Sequence, residues 1–166
     1  GTGEITLRLA ALGYRVVASD VSADMLRVAQ EKARKKGLAV PFVEQDMRAL
    51  SAHRPADAVV AACDGVNYLP STADLAAFFS AAARALKPGA LLLFDVSSAY
   101  KLTHVLGCNT FGEDDGTYAY LWRNAFDPKS RLLEMRLSFF AREGSGYTRF
   151  TETHVQRAHT RREIAS

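Results

Sequence analysis

The 166-residue chain is 48% hydrophobic and 23% charged, a composition that fits one globular domain with its own core. Its 21 Lys+Arg against 18 Asp+Glu leave a net charge of +3, too mild to call for a nucleic-acid partner. No apolar run approaches the ~20 residues that span a bilayer, no charged-then-apolar leader opens the sequence, and Cys63 and Cys108 make no CxxC, so a cytoplasmic, disulfide-free protein is expected.

Gly1-Thr2-Gly3 reads as a tight turn and "EITLRLAAL" as a helix over about residues 3–12, stopped by Gly13. "YRVVAS" reads as a strand closed by Asp20. Ser22 is placed to cap a helix over about residues 23–36, with Met25, Leu26, Ala29 and Ala33 on one face and Gly37 ending it. "AVPFVEQD" is a short strand, and Pro41, which lacks a backbone donor, puts it at a sheet edge. "ADAVVAACD" is a continuous apolar run of the kind found in a buried parallel strand. "STADLAAFFSAAARALKPG" is the clearest helix, with Leu75, Phe78, Phe79, Ala82 and Leu86 in one stripe and Pro88-Gly89 as its stop. "ALLLFDVSS" is a second buried strand ending in an acid.

Residues 1–98 therefore alternate helix and strand, which predicts an α/β fold: a doubly wound, mostly parallel, Rossmann-like sheet covered on both faces. Beyond residue 98 the rhythm changes. "TYAYLWRNAF", "RLLEMRLSFFAR" and "YTRFTETHVQRAH", separated by the turns "DPKS" and "EGSG", read as an inserted antiparallel β-meander. In it Tyr118, Tyr120 and Trp122 share one face, as do Leu133, Met135, Leu137 and Phe139. Thr160 to Glu163 has the form of a capping box and opens a helix. The expected organisation is a core over 1–98 whose first strand is missing, an insertion or lid over 99–159, and over 160–166 the start of a truncated core helix. Both ends of a larger domain are thus expected to lie outside the chain.

A glycine loop, a helix, a strand and an acid make the second half of a nucleotide-binding βαβ unit. A dinucleotide site wants G-x-G-x-x-G, but Thr6 stands where the third glycine would be, and the spacing of a phosphate-cradling loop is absent. Asp20 suits a pair of ribose hydroxyls, or else a helix cap. Asp46 suits an adenine amine beside Met47, or else a turn. Every strand end of the core carries an acid: Asp20, Asp46, Asp64 and Asp95.

"GTGEITLRLAALGYRVVASDVSADMLRVAQEKA", "VPFVEQDMRAL", "ADAVVAACDGVNYL" and "LKPGALLLFDVSS" resemble successive motifs of class I S-adenosylmethionine-dependent methyltransferases, nearest to the type called methyltransferase domain 25. The segment from about 115 to 163 resembles the antiparallel insertion that some members carry after the fifth strand. The resemblance implies a methyltransferase that moves a methyl group from S-adenosyl-L-methionine to a small-molecule acceptor by in-line displacement. It places Gly1 and Gly3 against the methionine part of the cofactor and Asp20 on the ribose, with Val21 and Met25 near the adenosine. Asp46 and Met47 would then hold adenine, with Cys63 beside the cofactor and Tyr68 near the substrate. It also implies that the chain by itself binds the cofactor poorly, since the family's first strand is central. A catalytically silent binding or scaffold protein that keeps the fold is the alternative.

Among groups able to take a proton, Tyr68, Asp95 and His104 are the candidates, with Asp64 and His154 behind them. His104 is the best placed histidine, in the region between the two sheets. His154 reads as a packed or exposed strand residue, and His53 and His159 as loop and surface. Cys63 reads as packing rather than as a nucleophile. No metal is expected, because His154 and His159 are five apart and point to opposite faces of a strand. The basic clusters "KARKKG" and "RAHTRR" read as solvated surface. The aromatic face of the meander suits a lid or a homodimer interface.

Overall fold

The computed structural model describes residues 1–165. They form two compact units, one of residues 1–56 and 77–89, the other of residues 57–76 and from 90 onward.

In the first unit α1 (Glu4–Ala11) is followed by β1 (Ala18–Asp20), α2 (Ala23–Lys35) and β2 (Phe42–Glu44). Gly3 caps α1 in the left-handed region, at φ +83°. A side chain there would also place its Cβ 2.9 Å from that of Ala29 on α2, so a glycine is needed for conformation and for contact. The expected cap of α2 forms, with Ser22 Oγ accepting from Met25 N at 3.3 Å. Leu26, Ala29 and Ala33 are buried, while Met25 is 45% exposed.

β1 and β2 pair in parallel, with Asp20 opposite Glu44. β1 is shorter than the "YRVVAS" expected. Only Ala18–Asp20 meets a partner strand, and Val17, outside the ladder, is exposed. A strand lasts as far as its hydrogen-bonding neighbour does. Pro41 lies just before β2, and its carbonyl accepts from Ala18 N at 3.0 Å.

β3 (Ala56–Ala61), α3 (Thr72–Ala85) and β4 (Leu86–Phe94) complete the α/β part, with β3 and β4 hydrogen-bonded neighbours. The strand–helix–strand order is the crossover that neighbouring strands of a doubly wound sheet require. Leu75, Phe78, Ala81, Ala82 and Ala85 of α3 are buried. Both strands were expected to be buried, and both are half open: Val60, Leu91 and Leu93 are exposed. A parallel strand is buried on both faces only where a layer covers each, and among the described residues nothing covers one face of Val60, Leu91 and Leu93.

The second unit continues with a one-turn π-helix at Lys101–Leu106 and four antiparallel strands: β5 (Thr110–Asp114), β6 (Tyr118–Asp127), β7 (Leu132–Glu143) and β8 (Gly146–Arg157). The meander is thus one strand wider than the sequence reading, because β5 is short and carries little alternation. Its inner face packs on the π-helix. Leu102, Leu106, Leu133, Met135 and Ala158 form the buried cluster, with Phe111, Trp122, Phe126 and Leu137 against it.

α4 (Arg161–Ala165) opens on a true capping box. Thr160 N donates to Glu163 Oε2 at 2.7 Å, and Glu163 N donates back to Thr160 Oγ1 at 3.1 Å. Two readings of this region need correction. His159 is buried, 4% exposed, rather than a surface residue. Arg157, expected to be solvated, is held by Ser130 O at 2.7 Å and by Glu163 Oε1 at 2.8 Å. Arg131 explains both: its guanidinium donates to Ala158 O at 2.8 Å, and its carbonyl accepts from Ala158 N at 2.9 Å. These bonds draw residues 157–159 inward.

Candidate functional site

In the first unit the glycine turn and the acid converge. The Gly1 nitrogen donates to Asp20 Oδ2, and Ser22 N donates to Asp20 Oδ1 at 2.8 Å. One carboxylate at the C-terminal end of β1 thus faces the turn before α1 and the turn before α2. Val21 and Met25 beside it are exposed apolar side chains, 69% and 45% accessible.

Asp46 leaves the same end of the ladder, two residues beyond the partner of Asp20. Gln45 N donates to Asp20 O at 3.1 Å and ties the two strand ends together. Asp46 also caps the short turn Met47–Ala49, accepting from Arg48 N at 2.8 Å, and the Arg48 guanidinium grips both its oxygens. Arg48 holds its carboxyl below the usual range, first through the side-chain bond and then through the backbone one. Asp46 is therefore a turn cap, beside half-buried Met47 at the strand end.

In the second unit the turn after β3 is strained. Cys63 and Asp64 adopt φ +64° and +50°, a conformation that costs non-glycine residues on the order of 1–3 kcal/mol each. Asp95, at the end of β4, braces it: Asp95 Oδ2 accepts from Asp64 N at 2.9 Å. Asp64 Oδ2 in turn accepts from Ser97 Oγ at 3.0 Å and Gln156 Nε2 at 3.2 Å. The last two strand-end acids are therefore joined directly. Asp95 acts on the backbone, and Cys63 is exposed and unpaired.

Beyond this turn lies a cavity of about 210 Å³. Leu106, Trp122, Met135 and Leu137 make its apolar floor. Asp64, Tyr68, Lys101, His154 and Gln156 make its polar rim. Convergence of a few polar groups over an apolar floor is the usual character of a small-molecule site. Tyr68 Oη lies 3.2 Å from His154 Nδ1, and His154 Nε2 lies 3.0 Å from Glu152 Oε2. The Tyr68 and His154 rings meet edge to face, 5.9 Å apart at 74°. Burial, then the Asp64 carboxylate, raises the Tyr68 phenol above its ordinary value, and the Gln156 side chain works weakly the other way. Lys101 Nζ is anchored on Ser97 Oγ at 3.0 Å.

Tyr68 is the one member of the first proton-acceptor set that lines the cavity. His104 stacks on Tyr100 at 4.9 Å and bonds Thr103 Oγ1 at 2.6 Å, outside the lining. His154, ranked behind it, is on the rim. The sequence carried a faint signal: Glu152, His154 and Gln156 alternate on one face of a strand. What they faced was not readable. Among the described residues no His/Cys/Asp/Glu group is arranged to hold a metal ion, and no helix is long and apolar enough to cross a membrane.

Residues 1–89 match the family model described as "Methyltransferase domain", over half of the 166 residues. The chain is 39% identical over 158 residues to YqeM of Bacillus subtilis (strain 168), covering 95% of this chain and 64% of that protein. It superposes with a TM-score of 0.93 and 38% identity on the crystal structure of a S-adenosylmethionine-dependent methyltransferase from Clostridium acetobutylicum ATCC 824, covering 99% of this chain and 66% of that one. The sugar N-methyltransferase KedS8 from Streptoalloteichus sp ATCC 53650 shares the fold, with a TM-score of 0.81 at 20% identity. The chain spans just under two thirds of the length of the relatives it matches.

Proposed function

The chain belongs to the S-adenosylmethionine-dependent methyltransferase family, and we propose that the protein transfers a methyl group from S-adenosyl-L-methionine to a small-molecule acceptor. The glycine turn that opens α1, with Gly3 in the left-handed region, and the Asp20 carboxylate at the end of β1, held by Ser22 N at 2.8 Å, carry the reading. A glycine turn at a helix start and an acid at the next strand end are what an adenosine ligand with free ribose hydroxyls needs.

The residues fit that ligand. Asp20 is proposed to accept from the ribose hydroxyls, with the exposed apolar side chains of Val21 and Met25 as the adenosine floor. Asp46 and Met47 are proposed for adenine, where Asp46 would share an oxygen with Arg48. Gly1 and Gly3 are proposed to lie along the methionine part, in the turn that opens α1. Cys63 is proposed as a wall residue and Tyr68 as a contact of the acceptor. When bound, the cofactor supplies a methyl group on a sulfonium, activated without further help. The chain's part is to align the acceptor and exclude water, worth up to ~7–11 kcal/mol for a well-oriented pair. The cavity of about 210 Å³ favours a small acceptor with an apolar body. Two unpaired cysteines agree with the reducing cytoplasm.

Calorimetric titration of the whole protein with S-adenosylmethionine tests this. Asp20→Ala is expected to weaken binding by ~10-fold or more, the loss of hydrogen bonds to a charged group. Binding that ignores the substitution would overturn the assignment.

A further inference from the structure

We propose that Tyr68, His154 and Glu152 form a proton relay that deprotonates the methyl acceptor, whose nucleophile is therefore a hydroxyl or a protonated amine on an apolar body. This rests on the methyl-transfer reading above.

Glu152 is acceptor-only when ionised, so its bond to His154 Nε2 keeps the ring proton on that nitrogen. Nδ1 is left with its lone pair toward Tyr68, and the phenol donates to it across 3.2 Å. The lone pairs of Tyr68 Oη then remain for a proton arriving from the cavity that Tyr68 lines. The edge-to-face packing of the two rings holds this geometry. Tyr68 and Glu152 meet the His154 ring directly, and Asp64 and Lys101 are the charged groups that line the same cavity.

The step balances. The acceptor's proton passes to Tyr68 Oη as Tyr68 gives its own to His154 Nδ1. The freed electron pair on the acceptor forms the bond to the methyl carbon. The carbon–sulfur pair leaves with the sulfur, and the imidazolium is neutralised by Glu152 until it releases its proton to water. Tyr68 never has to hold a negative charge, which its surroundings disfavour.

Two measurements decide it. In the first, nitrogen NMR of the imidazole in the 166-residue chain is expected to show the Nε2–H tautomer, with an Nδ1 resonance that moves in Tyr68→Phe. An Nδ1-protonated ring, or no response to Tyr68→Phe, overturns the relay. In the second, the whole protein is given radiolabelled S-adenosylmethionine with phenol or with thiophenol, which ionises without a base. His154→Gln and Tyr68→Phe are each expected to lower kcat on phenol by ~10²-fold or more beyond whatever they lose on thiophenol and to abolish its acid limb, with KM for S-adenosylmethionine little changed. Equal loss on both acceptors, no loss on phenol, or no transfer by a protein that binds S-adenosylhomocysteine overturns the proposal. Failure to bind S-adenosylhomocysteine instead sinks the methyl-transfer reading, with the tautomer result standing by itself.

Discussion

The Asn67 side-chain amide clasps Ser97 from both sides: its nitrogen donates to Ser97 O at 3.1 Å and its oxygen accepts from Ser97 N at 2.8 Å. The same nitrogen donates to Arg157 O at 3.0 Å. One fully buried side chain thus fastens the loop that carries Tyr68 to the end of β4 and the end of β8.

Asn67→Leu, similar in size, is therefore expected to strand Ser97 N, Ser97 O and Arg157 O. Each unmet buried group costs about 1–3 kcal/mol, so a loss of several kcal/mol in urea unfolding is expected. A stability within 0.5 kcal/mol of the parent, about the scatter of surface substitutions, would show that water replaces the amide at no cost.

Gly3→Ala is expected to cost about 1–3 kcal/mol through the left-handed backbone alone, with the 2.9 Å approach to Ala29 added. Adding Ala29→Gly should recover only the contact part. Full recovery in the double variant would mean that the conformation of Gly3 is not restrictive.

His159 is buried, and desolvation first, then the Arg157 charge, lowers its pKa below 6.5. The unfolded chain then binds the proton more readily than the folded one. Stability contributed by keeping this ring neutral is present above pH 6.5 and is lost as pH falls through the depressed folded value. His159→Gln should flatten that part of the stability profile; an unchanged slope would show that the ring titrates normally.

Glu163 titrates lower, at about 2 against an ordinary 4.5, chiefly because Thr160 N donates to it, with Arg157 adding to the effect. A depressed carboxylate stabilises fully above its unfolded value, and that stabilisation is lost between about pH 4.5 and 2. Acid titration of Glu163→Gln, followed by circular dichroism, is expected to show a shallower fall in this window. A parallel fall in parent and variant would place the acid sensitivity elsewhere.

Much of the α/β half was legible because its signals are short in range. Ser22 caps the helix that follows it, the Thr160–Glu163 box closes over three residues, and the glycine turn and Asp20 bracket one helix and one strand. Helical periodicity placed Leu26, Ala29 and Ala33 inside by the same local logic. Strand burial was misread at Val60, Leu91 and Leu93, since an apolar run states what a residue prefers and not whether a layer arrives to cover it. The cavity lay beyond local reading altogether. Tyr68 and His154 are 86 residues apart, and Asn67 and Arg157 are 90. Their meeting depends on the register that sets Met135 against His154 and Leu133 against Gln156. A slip of one residue in that ladder would turn His154 to the opposite face. The sequence by itself determined the family, the alternation of helix and strand in the α/β half and the acids at the strand ends, because those follow from neighbours along the chain. Which histidine faces the cavity was decided by tertiary structure alone, because strand register and loop docking are settled by contacts between residues the chain keeps far apart.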